Sequence, residues 1–260
     1  MRAAYLLISV LAAAFPAAAE KAGSEKDPPS KQLVEITKTV SISFPAGGVI
    51  RFLNSTGDLN IESWDKSNIE ITTIKSTADL YAENDMAGVK AEMDKVTVKA
   101  EQHGNEVLIT TFIPHRSGLD RFRVPEYPTL GHGPRARFNL EYHISVPRSA
   151  RLVIEHRTGG VNVDDVTGDI DAHVGDGQIT LHLPEDEKYN IDAKARYGTV
   201  NSDYPGEQHR VWIGQKAFAK EPGATHTLKL RVGYGDIVLL KTQTPRYPDT
   251  GTGKSAGGGQ

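Results

Sequence analysis

A chain of 260 residues with no cysteine cannot rely on disulfides, and any metal site in it would have to draw on His, Asp or Glu. Its formal net charge of −3 gives no general attraction to nucleic acid or to an anionic membrane, so neither is an expected partner. The length is enough for one sizeable domain with its own core.

The first nineteen residues have the pattern of a secretory signal. Arg2 supplies a positive start, Tyr5 to Phe15 form an apolar stretch of eleven, and Ala17-Ala18-Ala19 offers a small-residue cleavage site before Glu20. Crossing a bilayer takes about 20 apolar residues. The stretch is therefore expected to be removed, leaving a chain without a transmembrane segment that is periplasmic or secreted. Loss of Arg2 moves the charge from −3 to −4. No cysteine follows the cleavage site, which argues against a lipid anchor. Residues 20–32, polar and carrying Pro28-Pro29, read as a linker. Residues 33–243 read as a single β-repeat domain. Residues 244–260, with Pro245, Pro248 and five glycines, read as a disordered tail.

Within the domain the dominant period is two. Phe138, Leu140, Tyr142, Ile144 and Val146 alternate with polar residues, as in a half-buried strand. The alternation returns at Ile179-Leu181-Leu183, at Leu228-Leu230-Val232 and, more weakly, at Val96-Val98-Ala100. Only 82–95, rich in Ala, Glu, Met and Lys, predicts a short helix. A repeat underlies the strands: Thr56-Gly57-Asp58-Leu59-Asn60-Ile61 returns at Thr158 to Val163 and at Thr167 to Ala172. Looser copies begin at Gly175, Tyr197 and Tyr234. Each unit is a strand, a glycine turn and a strand, and a unit of about 20 residues cannot bury a face alone. The expected architecture is all-β, a β-solenoid (β-helix-like) of stacked units, with a two-sheet β-sandwich as the alternative. Parity assigns Ile170, Ala172, Leu181 and Leu230 to the core, and Asp171, His173, His182 and Lys229 to water.

Gly48-Val49-Ile50, Thr56 to Ile61, Ser63-Trp64-Asp65 and Ile69-Glu70-Ile71 with Lys75 resemble the opening of the bacterial putative-adhesin family of unknown function. Tyr142 to Pro147 and the repeats over 152–183 resemble its second half. The resemblance spans about Ile42 to Lys241, interrupted in the middle. It implies a β-solenoid-like envelope domain with an adhesive or scaffolding role, and it brings no catalytic residues.

Several features bear on chemistry. Asp164, Asp165, Asp169, Asp171 and Asp176 approach a calcium β-roll nonapeptide, but His173 stands where the next ladder aspartate belongs, so turn and solvent-face aspartates are expected. His143, His173 and His182 point outward by parity, and no tight ligand spacing marks a metal site. Gly253-Lys254-Ser255 lacks the first glycine of a phosphate loop, since Pro248 holds that place. Trp64-Asp65 reads as a core-capping indole with a turn aspartate. No cofactor is called for.

The least ordinary stretch is 114–137. It holds Arg116, Arg121, Arg123, Arg135 and Arg137 against only Asp120 and Glu126, with Phe122 and Tyr127 among them. Guanidinium groups and aromatics suit an anionic cell-envelope polymer or an envelope protein, and these seven residues are the binding candidates. The expected function is an exported, non-catalytic, adhesin-like or scaffold protein that binds another envelope component. A β-helix polysaccharide-active enzyme is the alternative. A groove with two or three convergent carboxylates would favour the enzyme, and a ridge of mixed, cross-strand-paired charges the scaffold.

Overall fold

The structure is a computed structural model that describes residues 31–114, 138–211 and 213–242. The first half contributes β1 (Lys31–Gln32), β2 (Glu35–Ser43), β3 (Val49–Ser55), β4 (Asp58–Trp64), β5 (Asn68–Thr77), β6 (Tyr81–Ala82), α1 (Glu83–Asp94), β7 (Thr97–His103) and β8 (Glu106–Phe112). The second half opens with β9 (Phe138–Pro147), β10 (Arg151–Thr158), β11 (Val161–Asp164), β12 (Ile170–Asp176), β13 (Ile179–Pro184) and β14 (Tyr189–Tyr197). It continues with β15 (Val200–Ser202), β16 (Glu207–Val211), β17 (Gly214–Ala219), β18 (His226–Tyr234) and β19 (Ile237–Thr242). Lys31 and Gln32, at the end of the expected linker, pair with β6 as a two-residue strand.

Five strand–turn–strand units, β3–β4, β10–β11, β12–β13, β14–β15 and β18–β19, stack as rungs. The first strand of each rung lies in one sheet, ordered β16-β17-β14-β18-β12-β10-β3-β8-β7. The second lies in the facing sheet, ordered β15-β19-β13-β11-β4-β9-β5-β2. Within the stack the strands pair in parallel. The result is a flattened β-solenoid. β8 and β9 form a further rung beside β3–β4, also in parallel register.

Alternation explains the core. Ile50, Leu152, Ile170, Leu228 and Ile191 stand in register across one sheet, and Leu59, Val161, Ile179, Ile237 and Val200 across the other. All ten are buried. Period-two side chains on parallel strands put like residues side by side, so each rung extends the same apolar ladders. The predicted core and solvent sets fall on the faces that parity gives them.

The rungs are not stacked in chain order. β18–β19, last in sequence, lies between β12–β13 and β14–β15. The stretch Tyr204 to Gly223, between the repeat copies that begin at Tyr197 and Tyr234, contains β16 and β17, an antiparallel hairpin that continues the sheet beyond β14. At the other end β2 and β5 continue one sheet and β7 the other, all antiparallel. α1, the predicted helix to within a residue at each end, packs there through Val89 and Met93. Lys75, from β5, donates its ammonium to the carbonyls of Met93 and Val96 at 2.9 Å each. The helix's last carbonyls are thereby paired with a cation, as the macrodipole favours. Burial lowers the Lys75 pKa below its usual value, against the nearby Asp94 carboxylate.

One polar pair sits inside the core. β3 carries an extra residue at Asn54 (φ 55°), so that the register steps from Glu155↔Leu53 to His156↔Ser55. Ser55 Oγ and His156 Nδ1 lie 2.8 Å apart, both residues buried. The parity that buries Leu152 and Ile154 buries His156 with them. Burial pushes the imidazole pKa from 6.5 down to about 4, against backbone groups of Gly57 and Thr158 and the Asp58 carboxylate, which favour protonation. The folded state therefore binds this proton less readily than the unfolded chain. The histidine's stability contribution is fully present above pH 6.5 and is lost as pH falls from 6.5 toward 4. The full loss is on the order of 3 kcal/mol. Urea melts at pH 7.5 and pH 4.5 are expected to show His156→Phe losing less stability on acidification than the parent, by about 2 kcal/mol or more. Equal losses in the two proteins would refute this.

Candidate functional site

The solenoid presents two broad sheet faces and two long edges. On the nine-stranded sheet, charges are paired across strands. Lys229 Nζ donates to Asp171 at 3.0 Å, Arg231 to the Asp192 carboxylate at 2.5 Å and to the Asp192 carbonyl at 2.7 Å, and Arg51 to Glu106 at 2.5 Å. On the facing sheet His182 Nδ1 lies 2.6 Å from Asp164 of the neighbouring strand, and His143 Nε2 2.8 Å from Glu141 of its own strand. Asn162 donates to Asn60 at 2.9 Å on the same face. These are half-exposed pairs, worth at most about 1 kcal/mol each, and they define a zippered polar surface rather than a reactive centre.

The five aspartates of the near-nonapeptide disperse. Asp164 faces His182, Asp165 accepts from Thr242, Asp169 from the backbone N–H of Thr227, and Asp171 from Lys229, while Asp176 pairs with Tyr234 along the strands. Among the described residues no group of three or more His, Asp or Glu side chains could hold a metal ion.

One long edge is built from the glycine turns. Gly57, Gly159, Gly177, Gly235 and Gly198 form a column with φ from 95° to 153°. Their neighbours stack too: Thr56 and Thr158 hydroxyls meet at 2.6 Å, and the Tyr197 and Tyr234 rings lie parallel with centroids 4.6 Å apart. At this edge β8 ends at Phe112 and β9 begins at Phe138, where the other rungs have a tight glycine turn. The binding candidates Arg116, Arg121, Phe122, Arg123, Tyr127, Arg135 and Arg137 lie outside the described residues. So does the Gly253-Lys254-Ser255 tail.

The opposite edge gathers four connections into an open cleft of about 410 Å³. The β4–β5 turn brings Trp64, Asp65, Lys66 and Ser67, the β2–β3 loop Phe44 to Gly47, the β9–β10 turn Pro147 to Ser149, and the β11–β12 loop Thr167. The loops are tied to one another. Phe44 N–H donates to the Ser67 carbonyl at 3.1 Å, and Thr167 N–H to the Arg148 carbonyl at 2.8 Å. Trp64 Nε1 donates to the Asn68 carbonyl at 2.8 Å, which fixes the indole across its own turn.

The core-capping reading of Trp64 is corrected here. In β4 the buried positions are Leu59 and Ile61, and Trp64 has the opposite parity. It is only half-buried, stands in register with Pro147 of β9, and carries the Lys66 ammonium 4.2 Å from its ring centroid. Asp65 sits in the turn, as expected. Lys66, Arg148 and Thr167 were not singled out by sequence, because three separate connections meet only once the rungs stack.

Residues 143–240, from within β9 into β19, match the family model described as Toastrack DUF4097. This stretch is the second half of the resemblance drawn from sequence. Among solved structures, a putative cell adhesion protein from Clostridium sporogenes is similar at 15% identity and a TM-score of 0.44, over 81% of this chain and 100% of that one. A putative lipid binding protein from Parabacteroides distasonis is similar at 10% identity and a TM-score of 0.27, over 81% and 97%. A putative adhesin from Bacteroides fragilis is similar at 11% identity and a TM-score of 0.22, over 82% and 99%. No curated protein matches the chain. Among the described residues no helix is long and apolar enough to cross a membrane.

Proposed function

We propose that this is an exported, non-catalytic β-solenoid with an adhesin-like or scaffolding role, which binds another component of the cell envelope. The observation that carries the reading is the pairing of charges across strands on the outer face of the nine-stranded sheet, as at Lys229–Asp171 and Arg231–Asp192. A polysaccharide-active enzyme calls for two or more convergent carboxylates in a groove. The cleft at Trp64 holds one, Asp65. The secretory pattern of residues 1–19 supports a periplasmic or secreted location, and the resemblance of the strand repeats supports the adhesin-like role.

In this reading the arginine-rich segment supplies the contact. Its five arginines oppose the sign of the whole protein, so it attracts an anionic polymer or envelope protein that the remainder does not. Such attraction is screened by salt, as the Debye length falls from about 10 Å at 0.1 M to about 3 Å at 1 M. Replacing Arg121, Arg123 and Arg135 together by glutamine is expected to abolish co-sedimentation with cell-wall or lipopolysaccharide fractions at low salt, while Tm stays within a few degrees. Binding that survives the triple change would remove the segment from the reading. Failure of the parent protein to bind any envelope fraction at low salt would overturn the reading itself.

A further inference from the structure

The cleft at Trp64 contains cations that no carboxylate matches among the described residues. On the sheet faces Lys229, Arg231 and Arg51 are each matched by a carboxylate. Among the described residues Lys66 and Arg148 make no ion pair, and both line the cleft beside the single carboxylate of Asp65. Apolar and aromatic residues also line it, Phe44, Trp64 and Pro147 among them, with Trp64 and Pro147 in register on neighbouring strands. The rim carries hydroxyls, Ser149 and Thr167 among them. The volume, about 410 Å³, falls in the range of small-ligand sites, roughly 300–1,000 Å³.

We propose that this cleft binds an anionic sugar unit, one that bears a carboxylate or a phosphate. The inference rests on the reading of the protein as a non-catalytic envelope binder and names a ligand class for a site distinct from the arginine-rich segment. Each element of the cleft matches one part of such a ligand. A pyranose presents one largely C–H face, which lies against indole and proline; its hydroxyls meet the rim hydroxyls and the Asp65 acceptor. The acid group meets Arg148, whose planar fork suits a carboxylate or a phosphate, and Lys66, a point charge that stands over the indole ring, 4.2 Å from its centroid. Two cations against one carboxylate leave the cleft net positive in a protein of net charge −3, so a neutral sugar forgoes the electrostatic part.

The chain has two tryptophans, Trp64 and Trp212. In the Trp212→Phe variant, Trp64 is the sole indole and its fluorescence reports the cleft. Three probes are titrated in low salt: digalacturonate, the methyl ester of digalacturonate, and glucose 6-phosphate. Saturable change with digalacturonate, with glucose 6-phosphate or with both is expected, at least tenfold tighter than with the neutral ester. The preferred probe tells a carboxylated sugar from a phosphorylated one. A Lys66→Gln/Arg148→Gln double variant is expected to lose at least tenfold in affinity with an unchanged melting curve. If Trp212→Phe fails to fold, calorimetric titration of the parent protein with the same three probes gives the same ranking. Equal response to the ester, no saturable response to any probe, or unchanged affinity in the double variant would overturn the proposal. Co-sedimentation of the double variant with envelope fractions separates the two readings: envelope binding with no sugar binding defeats the cleft assignment alone, and no envelope binding by the parent defeats the broader function.

Discussion

Leu181→Asp is expected to leave no cooperative unfolding transition. Leu181 is fully buried in β13, in register with Val163 of β11 and Leu239 of β19, both also fully buried. The change removes a large apolar side chain from a packed ladder and places a carboxylate where no cation or donor faces it. Losing the buried leucine costs about 2–5 kcal/mol. Burying an unpaired polar or charged group adds several more, whether the site floods or the acid protonates. The sum is comparable with the whole stability of an ordinary domain, about 5–15 kcal/mol. Leu181→Met, similar in volume and still apolar, is expected to cost less than about 1.5 kcal/mol. Urea denaturation followed by circular dichroism distinguishes them. An aspartate variant that unfolds cooperatively within about 2 kcal/mol of the parent would mean that this ladder is not the core.

That ladder was legible in the sequence because its cause is local. Successive residues of a strand alternate faces whatever the rest of the chain does, so Ile179, Leu181 and Leu183 declare an inner face and Thr180 and His182 an outer one. The glycine turns were legible for the same reason. Spatial order was not legible. Nothing in the period says that β18–β19 should lie between β12–β13 and β14–β15. That choice depends on which ladders match across rungs and on a hairpin, β16–β17, that lets the chain leave the stack and return. His156 and Trp64 teach the converse. Parity alone puts His156 inward with Leu152 and Ile154, and Trp64 outward from Leu59 and Ile61. Side-chain type argued the other way for Trp64, toward a buried indole, and His156 was not singled out. The cleft was least legible, since Lys66, Arg148 and Thr167 come from connections up to 101 residues apart in sequence and meet only across stacked rungs.

The glycine column gives the second large expected effect. Gly177 has φ 144°, and a Cβ built on it would lie 2.0 Å from the carbonyl oxygen of Gly159 in the next rung. The relation repeats along the edge: Gly159 would meet the Gly57 oxygen at 2.0 Å, Gly235 the Gly177 oxygen at 1.9 Å, and Gly198 the Gly235 oxygen at 2.0 Å. The obstacle in each case is backbone, which cannot swing aside as a flexible side chain would. To admit a methyl group, the rungs must separate locally, and that strains the turn hydrogen bonds from Gly159 N–H to Asp176 O at 2.9 Å and from Gly177 N–H to Tyr234 O at 2.8 Å. Gly177→Ala therefore combines the left-handed strain of a non-glycine residue, about 1–2 kcal/mol, with weakening of bonds worth about 0.5–1.5 kcal/mol each and loss of packing behind them. A cost of about 3 kcal/mol or more is expected. Gly104, in the β7–β8 turn, is the control. Its φ is also positive, at 61°, but a Cβ there meets nothing within 4 Å. Gly104→Ala pays the conformational strain alone, about 1 kcal/mol. Paired urea melts measure the difference, which should be at least about 2 kcal/mol in favour of the Gly104 variant. If the two alanines cost the same, the column's glycines serve only the turn dihedral, and close approach between rungs is not what requires them.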